Sequence, residues 1–290
     1  MTTAKEYSDG HPLDEIGYLE YKILLKPDHF VRPEGYEYYW ANVCKVAEKL
    51  GVGVKMRKEP FKREVREVLF FDTHKFDLYN NSFILRKRTY YIDGWPEPDH
   101  ELAFKFRNED MDMSAGIDVR SNIEGTERIK FKEELLPLRD EVGGMRSIYS
   151  HNCILTSPNI VLDQGLSNVA KVFPCLRDVG VKLNSKIDLV NQVRVNEVEV
   201  TPGHLDFGHH LKAKATIAIW RNRATETSLV GEFAFQAKFN RYDDVHAKAR
   251  ALADKFFIAL QKAAPEWIQL GTTKTYMIYG MGNKAPSNHE

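Results

Sequence analysis

Cationic side chains recur at alternate positions of several segments: Lys22; Arg86 and Arg88; Lys105 and Arg107; Arg128, Lys130 and Lys132; Arg194; Lys212 and Lys214; Lys238; and Lys274. Acidic residues in the same phase are fewer, chiefly Glu20 and Glu232. If the strands that carry them close into a barrel, these faces share one lumen, where so many like charges repel unless a polyanion neutralises them. A triphosphate or polyphosphate is the natural counter-charge, because Arg grips phosphate oxygens in pairs and Lys acts as a point charge. A few carboxylates among the cations would hold a divalent metal, since hard cations take oxygen ligands and bridge phosphate oxygens. The alternative is that the same residues decorate an exposed sheet face.

The elements that position these residues read mostly as strands. Tyr18 to Leu25 sets Leu19, Tyr21 and Ile23 against Tyr18, Glu20 and Lys22. Val65 to Phe71, Phe83 to Tyr90, Glu101 to Arg107 and Arg128 to Lys132 follow, then Leu189 to Val200, Leu211 to Arg221, Gly231 to Phe239 and Thr273 to Tyr279. Period-two alternation of this kind predicts half-buried strands. Trp40, Val43, Ala47 and Leu50 recur at helical spacing, and Gly51 with Gly53 ends that helix. A second helix runs from Val245 to Ala263 with Asp243 as its N-cap, and a third is expected over Gln164 to Asp178. The rhythm is α+β, with strands far more antiparallel than βαβ. The expected division is a loose segment over 1–15, one domain over 16–280 and a loose tail over 281–290.

The chain has 290 residues, 41 Lys plus Arg and 41 Asp plus Glu, for a formal net charge of zero. That balance argues against a general nucleic-acid coat or a polybasic membrane binder. There is no apolar run long enough to span a bilayer and no signal-like apolar stretch after Met1, so a cytoplasmic setting is expected. Cys44, Cys153 and Cys175 are widely spaced and suggest neither a disulfide framework nor a zinc site. His204, His209 and His210 read as a turn or surface cluster, and the basic run from Lys55 to Arg66 as a solvated loop and strand edge.

The stretch Phe70-Phe71-Asp72-Thr73, followed by Leu85-Arg86-Lys87-Arg88, resembles the signature of CYTH domains, the triphosphate tunnel metalloenzymes. Leu19-Glu20-Tyr21-Lys22 stands where that superfamily has its N-terminal E-x-E-x-K strand. Phe104-Lys105-Phe106-Arg107, Gly231-Glu232-Phe233-Ala234 and Thr273-Lys274-Thr275-Tyr276 follow in the family's order. The resemblance covers roughly residues 16 to 280. Two acidic positions depart from the pattern: Tyr18 stands for the first Glu of E-x-E-x-K, and Ala234 for the second Glu of the late E-x-E. Glu133 and Glu134 read as lying out of phase with an acidic lumen face, and the face taken by Glu197 and Glu199 is left open.

The resemblance implies an antiparallel β-barrel tunnel with flanking helices and metal-dependent hydrolysis of an inorganic or organic triphosphate. It makes Glu20, Lys22 and Arg86 the catalytic set. Lys22, Arg86, Arg88, Lys105, Arg107, Arg194, Lys238 and Lys274 grip the phosphate chain, and Glu20 and Glu232 ligate Mg²⁺ or Mn²⁺. A non-catalytic binder of polyphosphate or nucleotide on the same fold is the alternative, favoured by the missing carboxylates. A nucleotidyl cyclase, which the fold also hosts, ranks below both. The fold alone does not choose among them.

Overall fold

The computed structural model describes residues 6–123, 127–157, 165–282 and 286. The strands are β1 (Tyr18–Leu25), β2 (Gly53–Met56), β3 (Arg63–Thr73), β4 (Phe83–Ile92), β5 (Trp95–Asn108), β6 (Glu127–Leu136), β7 (Arg146–Thr156), β8 (Ile187–Leu189), β9 (Val195–Asp206), β10 (Lys212–Asn222) and β11 (Ser228–Lys238). The helices are α1 (Glu34–Leu50), α2 (Asp77–Asn80), α3 (Met111–Gly116), α4 (Leu166–Val172), α5 (Ala247–Ala263) and α6 (Lys274–Tyr279). None of the described helices is long and apolar enough to cross a membrane.

All eleven strands join one sheet, ordered β2-β9-β10-β11-β1-β6-β7-β5-β4-β3-β8. An additional β9–β3 pairing closes the strands from β9 round to β3 into a barrel, with β2 and β8 attached outside the ring. Every neighbouring pair is antiparallel except β1 with β6, whose parallel register sets Tyr18 beside Lys132 and Glu20 beside Glu134. A parallel pair needs a long crossover, and here most of the first half of the chain lies between the two strands. The expected antiparallel barrel is therefore a closed, mixed one.

Alternation sorts each strand into an outer apolar face and an inner face. On β1, β10 and β11 the odd positions Leu19, Tyr21, Ile23, Ala215, Ile217, Phe233 and Phe235 form a cluster with Tyr39, Trp40 and Val43 of α1 and Phe256, Phe257 and Leu260 of α5. The outer faces of β4, β5 and β7 give Phe83, Leu85, Phe104 and Cys153 to a second cluster under α4. A third contains Leu24, Val68, Phe70, Ile84 and Trp220, which lie in the inner-face phase, together with Ile278 and Tyr279 of α6. The lumen is thus plugged with apolar side chains at the end where β1 finishes.

Several local expectations change. Thr273 to Tyr279 is not a strand: Thr273 accepts a hydrogen bond from the Tyr276 N–H and caps α6. Helix α5 starts after His246, whose side chain accepts from the Lys248 N–H, and Asp243 sits in the 3₁₀ turn before it. Residues 187–200 divide into β8, a 3₁₀ turn and β9, because Asn191 and Gln192 take left-handed backbone conformations. Strands β2 and β7 carry no strong sequence signal. Part of the expected third helix forms as α4 and a 3₁₀ turn, and its first residue, Gln164, lies outside the described residues. Gly51 caps α1 at φ 71° as its position suggested. Of the segment before β1, residues 1–5 lie outside the described residues, while Tyr7 is buried and bonds the Ala115 carbonyl, and Asp14 bonds His151.

Candidate functional site

Cross-strand register brings alternate polar residues of neighbouring strands onto the same inner face. Arg88 sits opposite Glu101, Lys105 opposite Asn152 and Arg107 opposite Ser150. Lys132 sits opposite Ser150 across β6–β7, Glu20 opposite Gln236 across β1–β11, and Arg66 opposite Glu197 across β3–β9. The lumen is less one-sided than its sequence suggests, because carboxylates stand between the cations. Glu20 pairs with Lys22 at 3.0 Å and Lys132 at 3.1 Å. Glu134 is 1% exposed and pairs with Lys22 at 3.1 Å, Lys105 at 2.7 Å and Arg107 at 2.7 Å, while accepting from the Ser150 hydroxyl. Arg66 bonds Glu197 through Nε and Glu199 at 2.6 Å through Nη2. Lys274, at the start of α6, pairs with Glu232 at 2.6 Å and lies 3.6 Å from Glu197.

These pairings set the ionisation of the lumen. Burial opposes the Glu20 carboxylate, but Lys132 and Lys22 overcome it and hold its pKa down at about 2. Burial likewise opposes the charged forms of Glu134 and Glu197. Arg107, Lys105 and Lys22 lower the first, and Arg66 and Lys274 the second. Lys22 is raised, because Glu134, Glu20 and Glu232 outweigh its burial. For Lys105 burial wins over Glu134, aided by Arg107 and Lys22, and its pKa falls to about 7.

Lys130 lies 5.5 Å from the centre of the Tyr18 ring, and two arginines stand outside the ion-pair network. Among the described residues Arg86 and Arg88 take part in no ion pair, and the Nε of each is buried without a hydrogen-bond partner. Burial, reinforced by Arg88, pushes the Arg86 guanidinium down to about 9. Arg86 lines a cavity together with Lys22, Lys105, Arg107, Glu232, Lys274 and the 269–275 segment. A buried guanidinium Nε–H without an acceptor has lost its water and gained nothing in exchange.

The structure brings most of the residues expected from the sequence to the lumen and places the others outside it. Lys22, Arg86, Arg88, Lys105, Arg107, Glu20 and Glu232 all face the lumen. Arg194 does not: its side chain is 56% exposed and lies 3.8 Å from Glu67, because β9 begins only at Val195. Lys238 is exposed at the end of β11, with its ammonium 5.9 Å from the Tyr18 ring. Lys212 and Lys214 are exposed as well. Lys274 reaches the lumen, but from a helix.

Glu134 corrects the expected phase, since it lies two and four residues beyond Lys132 and Lys130 and shares their face. Glu133, one residue earlier, points outward and binds Arg250 of α5 at 2.9 Å. Glu197 and Glu199 face inward. Arg66, read as part of a solvated basic run, is a lumen residue, which its alternation with Val68 and Phe70 could have shown. Glu20 and Glu232, the expected metal pair, share no partner within ion-pair distance: Glu20 is held by Lys22 and Lys132, and Glu232 by Lys274. No group of three or more His, Cys, Asp or Glu side chains among the described residues is arranged to hold a metal ion. With its oxygens held by ammonium and guanidinium groups, this donor set does not fit Mg²⁺ or Mn²⁺.

No family model matches the chain, and no curated protein matches its sequence. Solved structures resemble it at low identity. HpAC1 from Hippeastrum, a proposed adenylyl cyclase described as having a dominant triphosphatase activity, is 12% identical with a TM-score of 0.40, the alignment covering 91% of this chain and 96% of that one. A proposed adenylate cyclase from Bacillus halodurans is 11% identical, with a TM-score of 0.39 and coverage of 90% and 95%. The PH1819 protein from Pyrococcus horikoshii is 9% identical, with a TM-score of 0.37 and coverage of 89% and 96%. Overlaps this low assign no activity. The chain's own features say more about its architecture: strands closed into a ring, helices packed outside it, charged residues lining it, and the signature segments in order along it. The fold is a closed, mixed β-barrel with a charged lumen and flanking helices.

Proposed function

We propose that the barrel lumen binds the phosphate chain of a triphosphate-bearing small molecule or a short polyphosphate, with Arg86 and Arg88 as its principal grips. The observation that supports this reading is the contrast inside the lumen: the carboxylates are paired with cations, while among the described residues Arg86 and Arg88 form no ion pair and each keeps a buried Nε without an acceptor. Phosphate oxygens would give each guanidinium the paired acceptors it lacks. The low-dielectric surroundings make such contacts stronger than in water. Lys22 and Lys105, on the wall of the same cavity as Arg86, supply further charge.

A second reading, hydrolysis of the bound phosphoanhydride, is favoured by Lys105. Its pKa of about 7 balances ammonium and amine near neutrality, so it could pass a proton to a leaving phosphate oxygen. Thermal-shift titrations with tripolyphosphate, thiamine triphosphate and ATP, run beside assays of phosphate release, test both readings. A ligand present at a hundredfold its Kd adds about 2.7 kcal/mol of stability, so the melting temperature rises for at least one of the three. In Arg86→Ala and Arg88→Ala that rise is lost. Phosphate release that disappears in Lys105→Gln adds hydrolysis to binding. If none of the three ligands shifts the melting temperature, the binding proposal fails.

A further inference from the structure

The space between two lumen carboxylates is filled by a side chain of the protein itself. Lys274 Nζ lies 2.6 Å from Glu232 Oε1 and 3.6 Å from Glu197 Oε1, and 4.7 Å from the centre of the Trp220 ring. Helix α6 holds it there. Thr273 caps that helix, Asn191 Nδ2 donates to the carbonyls of Ile278 and Tyr279, and the Tyr279 hydroxyl donates to Asp72. Elsewhere in the lumen Lys22 bridges Glu20 and Glu134, and Arg66 bridges Glu197 and Glu199. A divalent ion would need several of these oxygens at once. Admitting one would mean breaking ion pairs in a desolvated interior and setting a dication beside the displaced ammonium, both of which are costly there.

From this arrangement we infer that the lumen takes its phosphate ligand as the metal-free anion, with Lys274 as a fixed cation where a metal would otherwise link Glu197 and Glu232. The inference rests on the phosphate-binding reading and specifies the ionic species that the site accepts. It also assigns Lys274 a role distinct from that of Arg86 and Arg88: it neutralises the wall rather than gripping the ligand.

Two measurements on the whole protein test it. The first is a tripolyphosphate titration followed by thermal shift, in EDTA and again in excess Mg²⁺. The expected result is a shift in EDTA at least as large as that in Mg²⁺. A shift that appears only with Mg²⁺ overturns this inference and leaves phosphate binding standing, whereas no shift in either condition removes the phosphate reading and this inference with it. The second is a Mn²⁺ titration followed by electron paramagnetic resonance, without phosphate ligand. The parent is expected to leave Mn²⁺ free in solution, while Lys274→Met, which frees Glu232 and removes the ammonium beside Glu197, gains Mn²⁺ binding. Stoichiometric Mn²⁺ binding by the parent, or no gain in a folded Lys274→Met, overturns the inference.

Discussion

As the proposed phosphate grips, Arg86 and Arg88 would work against the stability of the free protein. Each is half-buried, with its Nε buried and without an acceptor, and neither forms an ion pair among the described residues, whereas Arg107, on the same wall, is held by Glu134 at 2.7 Å. Replacing Arg86 with methionine keeps much of its volume and removes a desolvated charge. Arg86→Met is therefore expected to raise the stability of the ligand-free protein by about 1 kcal/mol or more, the scale on which apolar replacement of buried ionic groups stabilises, while abolishing the tripolyphosphate shift. Denaturant melts with and without ligand read both effects, and a variant less stable than the parent in the free state contradicts this account of Arg86. Lys105 makes a pH prediction. Burial lowers its pKa to about 7 against the pull of Glu134, so it is charged below that pH and neutral above it. Affinity for a polyanion then falls as pH rises through about 7. Calorimetric titrations across that range should show the fall in the parent and a flatter profile in Lys105→Gln; identical profiles would count against a titrating Lys105.

At the scale of elements, Asp72 ties three segments together. It accepts hydrogen bonds from the N–H groups of Thr73, Leu78 and Tyr79 and from the Tyr279 hydroxyl, joining the end of β3 to α2 and α6. An amide here would turn a donor toward donors, so Asp72→Asn is expected to cost about 1–3 kcal/mol, measured by denaturant unfolding at pH 7.5. An unchanged midpoint would mean that α6 is held by its other contacts. Phe256 of α5 is fully buried between Phe207 and Phe235, and Phe256→Ala should cost about 3–5 kcal/mol. The strands with strict alternation, such as β1 and the inner half of β5, were legible in the sequence, as were the sides of α1 and α5 that pack on the barrel. Thr273 to Tyr279 was not, because a seven-residue amphipathic segment fits either period and its helix is decided by the Thr273 cap and by packing against Phe70 and Tyr79. The lumen cations could be read from parity alone. Their carboxylate partners were harder to place, because Glu197 and Glu199 lie on β9, whose start is fixed by the left-handed pair at Asn191 and Gln192.

At the scale of the whole molecule, closing the sheet does two things at once. It removes most exposed strand edges, and it gives the inner face an interior in which water cannot screen charge. The outer face then builds its own clusters beneath α1, α4 and α5, while α6 plugs one end and delivers Lys274 to the lumen. On the phosphate-binding proposal, the lumen carboxylates are already paired with cations, and Arg86 and Arg88 are left to meet the polyanion. The most direct test is calorimetric titration of tripolyphosphate into the parent, Arg86→Ala and Arg88→Ala proteins. The account predicts saturable binding by the parent and at least a tenfold loss of affinity, about 1.4 kcal/mol, in each variant. Affinities equal to the parent's in both folded variants would contradict it.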